Sequence, residues 1–187
     1  TVVRVIGLIE NQIITEEIHQ ELSIVNGEVK ADPTRDILKI CVVERHKGTG
    51  RIGKGFVRGF GLKSGAVAST FAHDSHNIIA VGVDDREIYR AIWRLREIDG
   101  GFVIVNDGLI LEELPLPVAG LMTTLSASEI AEKLSMLEEA AVKLGCKIKN
   151  PFTALSFLSL PVIPKLKITD LGLIDAEKLK IVDLFVD

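Results

Sequence analysis

Two of the chain's four histidines stand three positions apart in the stretch Phe71-Ala72-His73-Asp74-Ser75-His76-Asn77. A carboxylate and a hydroxyl lie between them and a carboxamide follows. Imidazole changes charge near neutral pH, so His73 and His76 are candidates for proton transfer or for hydrogen bonding to a polar substrate. Asp74, Ser75 and Asn77 add acceptors and donors at the same place. The apolar runs on either side, 65–71 and 78–82, read as strands, which puts the polar cluster at a hairpin tip. Loops held between rigid strands often carry chemistry, although a solvated tip has the same composition. A metal is the other chemistry to weigh. His73, Asp74 and His76, with His46 on another segment, are ligand types that suit zinc, iron or manganese. Residues three apart on a strand face opposite ways, so the pair shares a metal only if the chain turns there. An Asx-turn at Asp74 or Asn77, with the histidines merely hydrogen-bonded, is the structural alternative. No residue is assigned as a metal ligand.

A second stretch invites a nucleotide reading. Gly48-Thr49-Gly50-Arg51-Ile52-Gly53 fits G-x-G-x-x-G, and with Lys54-Gly55 it nearly fits a P-loop. Both fingerprints need a helix next, because its amides hold the phosphates. Here KGFVRGFGL follows, which reads as a glycine-bearing strand, and Gly55 stands where a P-loop has Ser or Thr. Turns or close packing explain these glycines better. From 44 to 63 the segment carries six Lys or Arg against Glu44 alone, a net +5. Such a patch suits an anion or the acidic face of a neighbouring domain, and a solvated strand face has the same pattern.

The composition sets wider bounds. A chain of 187 residues, 47% hydrophobic and only 5% aromatic, can bury a core built on Val, Ile and Leu. A net charge of −4 argues against bulk nucleic-acid binding. Cys41 and Cys146 form no CxxC pair, which suits a reduced, cytoplasmic protein. No signal peptide is visible, and no apolar run reaches the ~18 residues of a membrane span. The chain starts at Thr1, as a trimmed protein or a fragment would. Zinc-dependent base deamination by H-x-E with P-C-x-x-C is excluded for this chain, since His73-Asp74-Ser75 lacks the Glu and no CxxC exists.

The elements that must hold the polar stretch follow from periodicity. Strands are expected over 1–9 and 37–43, with 13–18 ambiguous. Hairpins are expected at Asn26-Gly27 and at Asn106-Asp107-Gly108, because these residues tolerate positive φ. Helices are expected over 84–99, capped by Asp84 with Glu87 completing a capping-box-like pair, and over 126–144, framed by Ser126 and Glu129. After Asn150-Pro151 the tail reads as apolar and proline-punctuated, with strands over 165–169 and 174–186. The rhythm is not βαβ. It predicts an α+β layered domain of mostly antiparallel β-sheets with a few packed helices and no TIM barrel. One domain over 1–187 is expected, with a weak seam near 115–124.

Five segments resemble a known family: VVERHKGTG at 42–50, GFVRGFGLKSG at 55–65, AHDSHNII at 72–79, LPLPVAGLM at 114–122 and SFLSLPVIP at 156–164. Their order and spacing are similar to those of the C-terminal domain of bacterial and archaeal adenine deaminase, over nearly the whole chain. The resemblance implies a part of an enzyme that hydrolyses adenine to hypoxanthine and ammonia in purine salvage. It implies an upstream, metal-dependent (β/α)8 barrel of the amidohydrolase superfamily, with manganese, iron or zinc bound there, and a homo-oligomer. The family's metal-binding HxH pair lies in that barrel, and no HxH occurs here. On this reading His73, Asp74, Ser75, His76 and Asn77 form a loop lent to the active-site mouth. Glu44, Arg45 and His46 serve substrate binding or the domain interface. By itself the chain is expected to be inactive. The alternative is a structural or oligomerisation module whose loop stays outside the pocket.

Overall fold

The computed structural model describes residues 1–186; Asp187, the last residue of the expected domain, lies outside the described residues. The first strands are β1 (Val2–Leu8), β2 (Thr15–Glu21), β3 (Ile24–Val25), β4 (Glu28–Val29), β5 (Ile37–Val43), β6 (Ile52–Arg58), β7 (Ala66–Ser69) and β8 (Ile78–Gly82). Helix α1 (Asp85–Glu97), strands β9 (Gly101–Asn106) and β10 (Leu109–Pro115), and helices α2 (Ala127–Lys143) and α3 (Pro151–Leu158) follow. Strands β11 (Leu166–Thr169), β12 (Gly172–Asp175) and β13 (Lys180–Val182) end the chain. Eight strands form one sheet in the order β10-β9-β7-β8-β5-β6-β1-β2, in which β1 and β6 run parallel and the other neighbours antiparallel. The last three strands make a small antiparallel sheet. This is the expected α+β layered fold.

Alternation along the strands decides what each face packs against. On β5, Leu38, Ile40 and Val42 point to one side and Cys41 to the other. The first side joins Leu137, Ala141 and Leu144 at α2, Phe152 and Leu155 of α3, and Leu166, Ile168 and Leu173 of the small sheet. The second side joins Ile88, Ala91 and Leu95 of α1. The protein therefore has three layers, with the large sheet in the middle. Side chains such as Leu38, Ile79 and Ile104 are fully buried, each contributing about 1.5–3 kcal/mol.

Local chemistry fixes the element ends. Asn26 (φ 53°) and Gly27 (φ 79°) form the first tight turn, and Asp107 (φ 51°) and Gly108 (φ 75°) the second. Ser126 and Glu129 make the full capping box. Asp84 caps α1 by accepting from the Glu87 amide, but the expected return bond from Glu87 is not formed. The Glu87 carboxylate is buried and accepts from Gly108 N at 3.1 Å, tying the helix to the β9–β10 turn.

Three expectations change. From Thr15 onward the ambiguous 13–18 segment is the start of β2, which pairs residue for residue with β1. The segment after Asn150 holds a helix, α3, which the prolines and apolar run had hidden. Its eight residues are too short to show a clear stripe. The strand expected over 174–186 is split, because Asp175 accepts from the amides of Glu177 and Lys178 and turns the chain before β13.

No helix opens at Gly53. It lies inside β6, and an added Cβ would sit 1.8 Å from Thr169 O. Glycine is required there because the β11–β12 turn crosses directly over the strand. No helix among the described residues is long and apolar enough to cross a membrane.

Candidate functional site

The polar stretch lies at one end of the large sheet, where the β7–β8 and β5–β6 loops meet the 119–120 turn, the β11–β12 turn and α3. Arg45 joins three of these. Its Nε donates to His76 O at 2.6 Å, its Nη2 to Ala119 O at 2.7 Å, and its main-chain N–H to Asn77 Oδ1 at 3.3 Å. Gly120 must be glycine for this, since a Cβ would lie 2.8 Å from Arg45 Nη2. Asn77 is buried and donates through Nδ2 to Asp170 Oδ1 at 3.3 Å, while Asp170 Oδ2 accepts from Arg51 Nε at 2.8 Å.

Glu44 organises its own loop. Its oxygens accept from His46 N (2.6 Å), Lys47 N (2.7 Å), Thr49 N (3.0 Å) and Thr49 Oγ1 (2.9 Å). These donors, with the Thr49 amide foremost, hold its carboxyl down at about 2. Both oxygens are thus engaged within the loop. His46 reaches across, its Nε2 lying 2.7 Å from Ser75 O. A carbonyl only accepts, so His46 carries its proton on Nε2.

The two loop histidines differ. His76 sits at φ 50°, and its Nδ1 accepts from Ala72 N at 3.2 Å. That bond puts the neutral ring's proton on Nε2 and directs it away from the backbone. Burial, with help from His73 and Arg45, lowers its pKa, so the neutral form dominates at pH 7. His73 is held through its main chain: its N–H donates to Ser156 O at 3.2 Å and its carbonyl accepts from Ser159 Oγ at 2.9 Å. Its ring lies 5.4 Å from Phe71, 5.7 Å from His76 and 5.3 Å from Phe157, centroid to centroid. Among the described residues its ring nitrogens meet no hydrogen-bond partner. Asp74 and Ser75 are exposed at the tip.

The structure thus gathers all eight candidate residues, 44–46 and 73–77, at one place. It gives them unequal tasks. Glu44, Arg45 and Asn77 shape the loops, whereas His73, Asp74, Ser75 and the Nε2–H of His76 remain open. Arg51 was read only as part of the basic 44–63 segment, and Asp170, Phe157 and Ser159 were not singled out as site residues from the sequence. Asp170 lay in a stretch legible only as a turn, and Ser159 and Phe157 belong to or border the unrecognised α3. Among the described residues, no group of three or more His, Cys, Asp or Glu side chains is arranged to hold a metal ion.

The adenine deaminase C-terminal domain family matches residues 12–180. Adenine deaminase from Archaeoglobus fulgidus is 51% identical over 185 residues, covering 99% of this chain and 32% of that protein. The adenine deaminase of Brucella anthropi is 51% identical over 175 residues, 94% of this chain and 31% of the relative. That of Dehalococcoides mccartyi is 47% identical over 178 residues, 95% and 31%. The chain spans about a third of the length of these curated relatives. By this match it belongs to the adenine deaminase C-terminal domain family.

Proposed function

We propose that the chain works as the C-terminal part of an adenine deaminase, packed on an upstream barrel and lending its 73–77 loop to the mouth of the active site. The intact enzyme hydrolyses adenine to hypoxanthine and ammonia, in cytoplasmic purine salvage, as a homo-oligomer. The observation that carries this reading is the fixed, neutral His76 beside an unpaired His73 ring. Water adds at C6 of adenine and ammonia leaves, so the reaction needs hydrogen-bond donors at the ring nitrogens and a proton source for the departing amine. The Nε2–H of His76 is such a donor. His73, Asp74 and Ser75 supply further polar groups along the purine edge. The manganese, iron or zinc that the family reading calls for would supply hydroxide at neutral pH. The family reading assigns that group to the upstream barrel.

A second reading, an assembly module, has an observation of its own. Tyr89 and Trp93 stack on the exposed side of α1 with Arg96 over the Trp93 ring, the residue types enriched at binding hot spots.

One experiment separates the two. In an enzyme joining this chain to its upstream part, His73→Ala and His76→Ala are expected to lower kcat/KM by about 10²–10³-fold, with the fold and metal content nearly unchanged and only a small fall in melting temperature for His76→Ala, which loses the Ala72 N–H bond. Wild-type kcat/KM in both variants would leave the assembly reading standing and remove the catalytic one.

A further inference from the structure

The chain's single tyrosine and single tryptophan stand on one face of one helix. Helix α1 buries Ile88, Ala91 and Leu95 and turns Arg86, Tyr89, Trp93 and Arg96 outward, a stripe that recurs at the helical period. Tyr89 is 64% exposed and Trp93 41%, and the Arg96 guanidinium lies 4.7 Å from the Trp93 ring centroid. Arg90 and Arg94 are taken up by Glu97 and Glu113. Arg86 and Arg96 form no ion pair among the described residues, so the outer stripe is aromatic and positively charged.

Helix α2 has the opposite character. It buries Leu137, Ala140 and Ala141 and turns Glu132, Met136, Glu139 and Val142 outward. Lys133 pairs with Glu112, but Glu132 and Glu139 form no ion pair among the described residues. Lys143, in the last turn, is the exception to the negative charge of this face. Arg86 to Arg96 and Glu132 to Val142 each span about 15 Å of helix axis, so the stripes match in length. The two helices lie on opposite sides of the large sheet, and their outer stripes face away from each other. They cannot meet within one molecule. Tyr, Trp and Arg are the types enriched at binding hot spots, and an acidic stripe with apolar residues between its charges is their complement.

We propose that α1 of one copy of this chain docks on α2 of the next, head to tail. Tyr89 and Trp93 pack against Met136 and Val142, and the two free arginines face Glu132 and Glu139. A contact between unlike faces is heterologous, so it closes into a ring or extends as a short chain. Stripes of this length make a contact at the small end of specific interfaces, so association depends on concentration and on salt. This rests on the homo-oligomer reading above only for the expectation that copies assemble, and it does not involve the histidine loop.

Sedimentation equilibrium of the 187-residue chain over a broad concentration range tests it, with Trp93, the only tryptophan, reporting the contact by its emission. Association is expected to grow with concentration, to shift the Trp93 emission to the blue as the ring leaves water, and to weaken at high salt. Reversing α1 with Arg86→Glu and Arg96→Glu, or α2 with Glu132→Arg and Glu139→Arg, is expected to weaken association at least about tenfold. All four substitutions in one chain restore opposite charges across the contact and are expected to restore association. Circular dichroism verifies the fold of each variant, and Trp93→Ala is a neutral variant expected to weaken association should a reversed chain misfold. Monomer at every concentration overturns the proposal, and so does association that either reversal leaves intact. Association lost in both reversals but not regained in the four-residue variant also overturns it, because the two stripes then do not face each other. An intact enzyme that assembles while this chain stays monomeric would keep the homo-oligomer reading and overturn this contact.

Discussion

Replacing Lys167 by methionine should stabilise the protein at neutral pH. Lys167 is fully buried in β11, between Leu166 and Ile168, which are also fully buried. Its Nζ donates to Ile13 O at 2.8 Å, and no carboxylate pairs with it among the described residues. Burial alone pushes its pKa from 10.5 down to about 8. At 1.36 kcal/mol per tenfold change that fall corresponds to about 3 kcal/mol. The ammonium is only part-buried and solvent screens some of the penalty, which brings the cost of the charge to about 2 kcal/mol. Methionine has a similar length and no charge, but leaves the Ile13 carbonyl unpaired at a cost of about 1 kcal/mol. The net expectation is a gain of about 1 kcal/mol, or about 2–4 °C in Tm.

The pH dependence gives the sharper check. Between about 8 and 10.5 the unfolded chain holds a proton on Lys167 that the folded chain has released. Wild-type stability therefore rises through that window, and the penalty is fully present below it. The methionine variant lacks this rise, so its advantage should disappear within the window and reverse, by up to about 1 kcal/mol, at pH 10.5. Urea unfolding of both proteins at pH 7, 9 and 10.5 measures it. A variant less stable than wild type at pH 7, or a difference that does not change with pH, would refute the reasoning.

Two other outcomes follow from the packing and the loops. Gly53→Ala should cost about 3 kcal/mol in thermal or urea unfolding, because its Cβ meets main-chain atoms of the β11–β12 turn, with Thr169 O at 1.8 Å and Gly172 N at 2.9 Å; a loss under 1 kcal/mol would mean the turn can lift away. Glu44→Ala should speed amide hydrogen exchange at His46, Lys47 and Thr49. Since the Glu44 carboxyl is held at about 2 against an ordinary 4.5, its stabilisation is present above pH 4.5 and is lost as pH falls toward 2. Melts between pH 2 and 5 should show a shallower decline in the variant, and identical slopes would count against this role.

The sequence made the framework legible where a residue type has one use. Asn26-Gly27 and Asp107-Gly108 each demanded a turn, and the stripes of α1 and α2 their helices. The polar stretch 71–77 could be placed at a hairpin tip because both flanking runs are short, apolar and rich in strand formers. What was hidden depends on contacts distant in sequence. Nothing local tells that Glu87 will bind Gly108 rather than its own helix end. Asp170 stands 93 positions from its partner Asn77, and Ser159 bonds His73 across 86 positions. Helix α3 was missed because a short helix buried nearly all round has no polar face to set its period.

The division of labour within the site follows from the same bonds. The loops are fixed chiefly through main-chain groups: the carbonyls of His76, Ala119, Ser75 and Ser156, and the amides of Ala72, Thr49 and His46. The side chains of Glu44, Arg45 and Asn77, with the imidazoles of His46 and His76, supply the complementary ends. The loops use imidazole for their shape at His46 Nε2 and His76 Nδ1, and not at the His73 ring. The side of His76 that faces outward is therefore the one with the proton, and His73 keeps both ring nitrogens. Both rings are half-buried, so those atoms stay accessible to water or to a ligand. On the proposed reading, a bound substrate would complete the hydrogen bonds that these imidazole edges leave open.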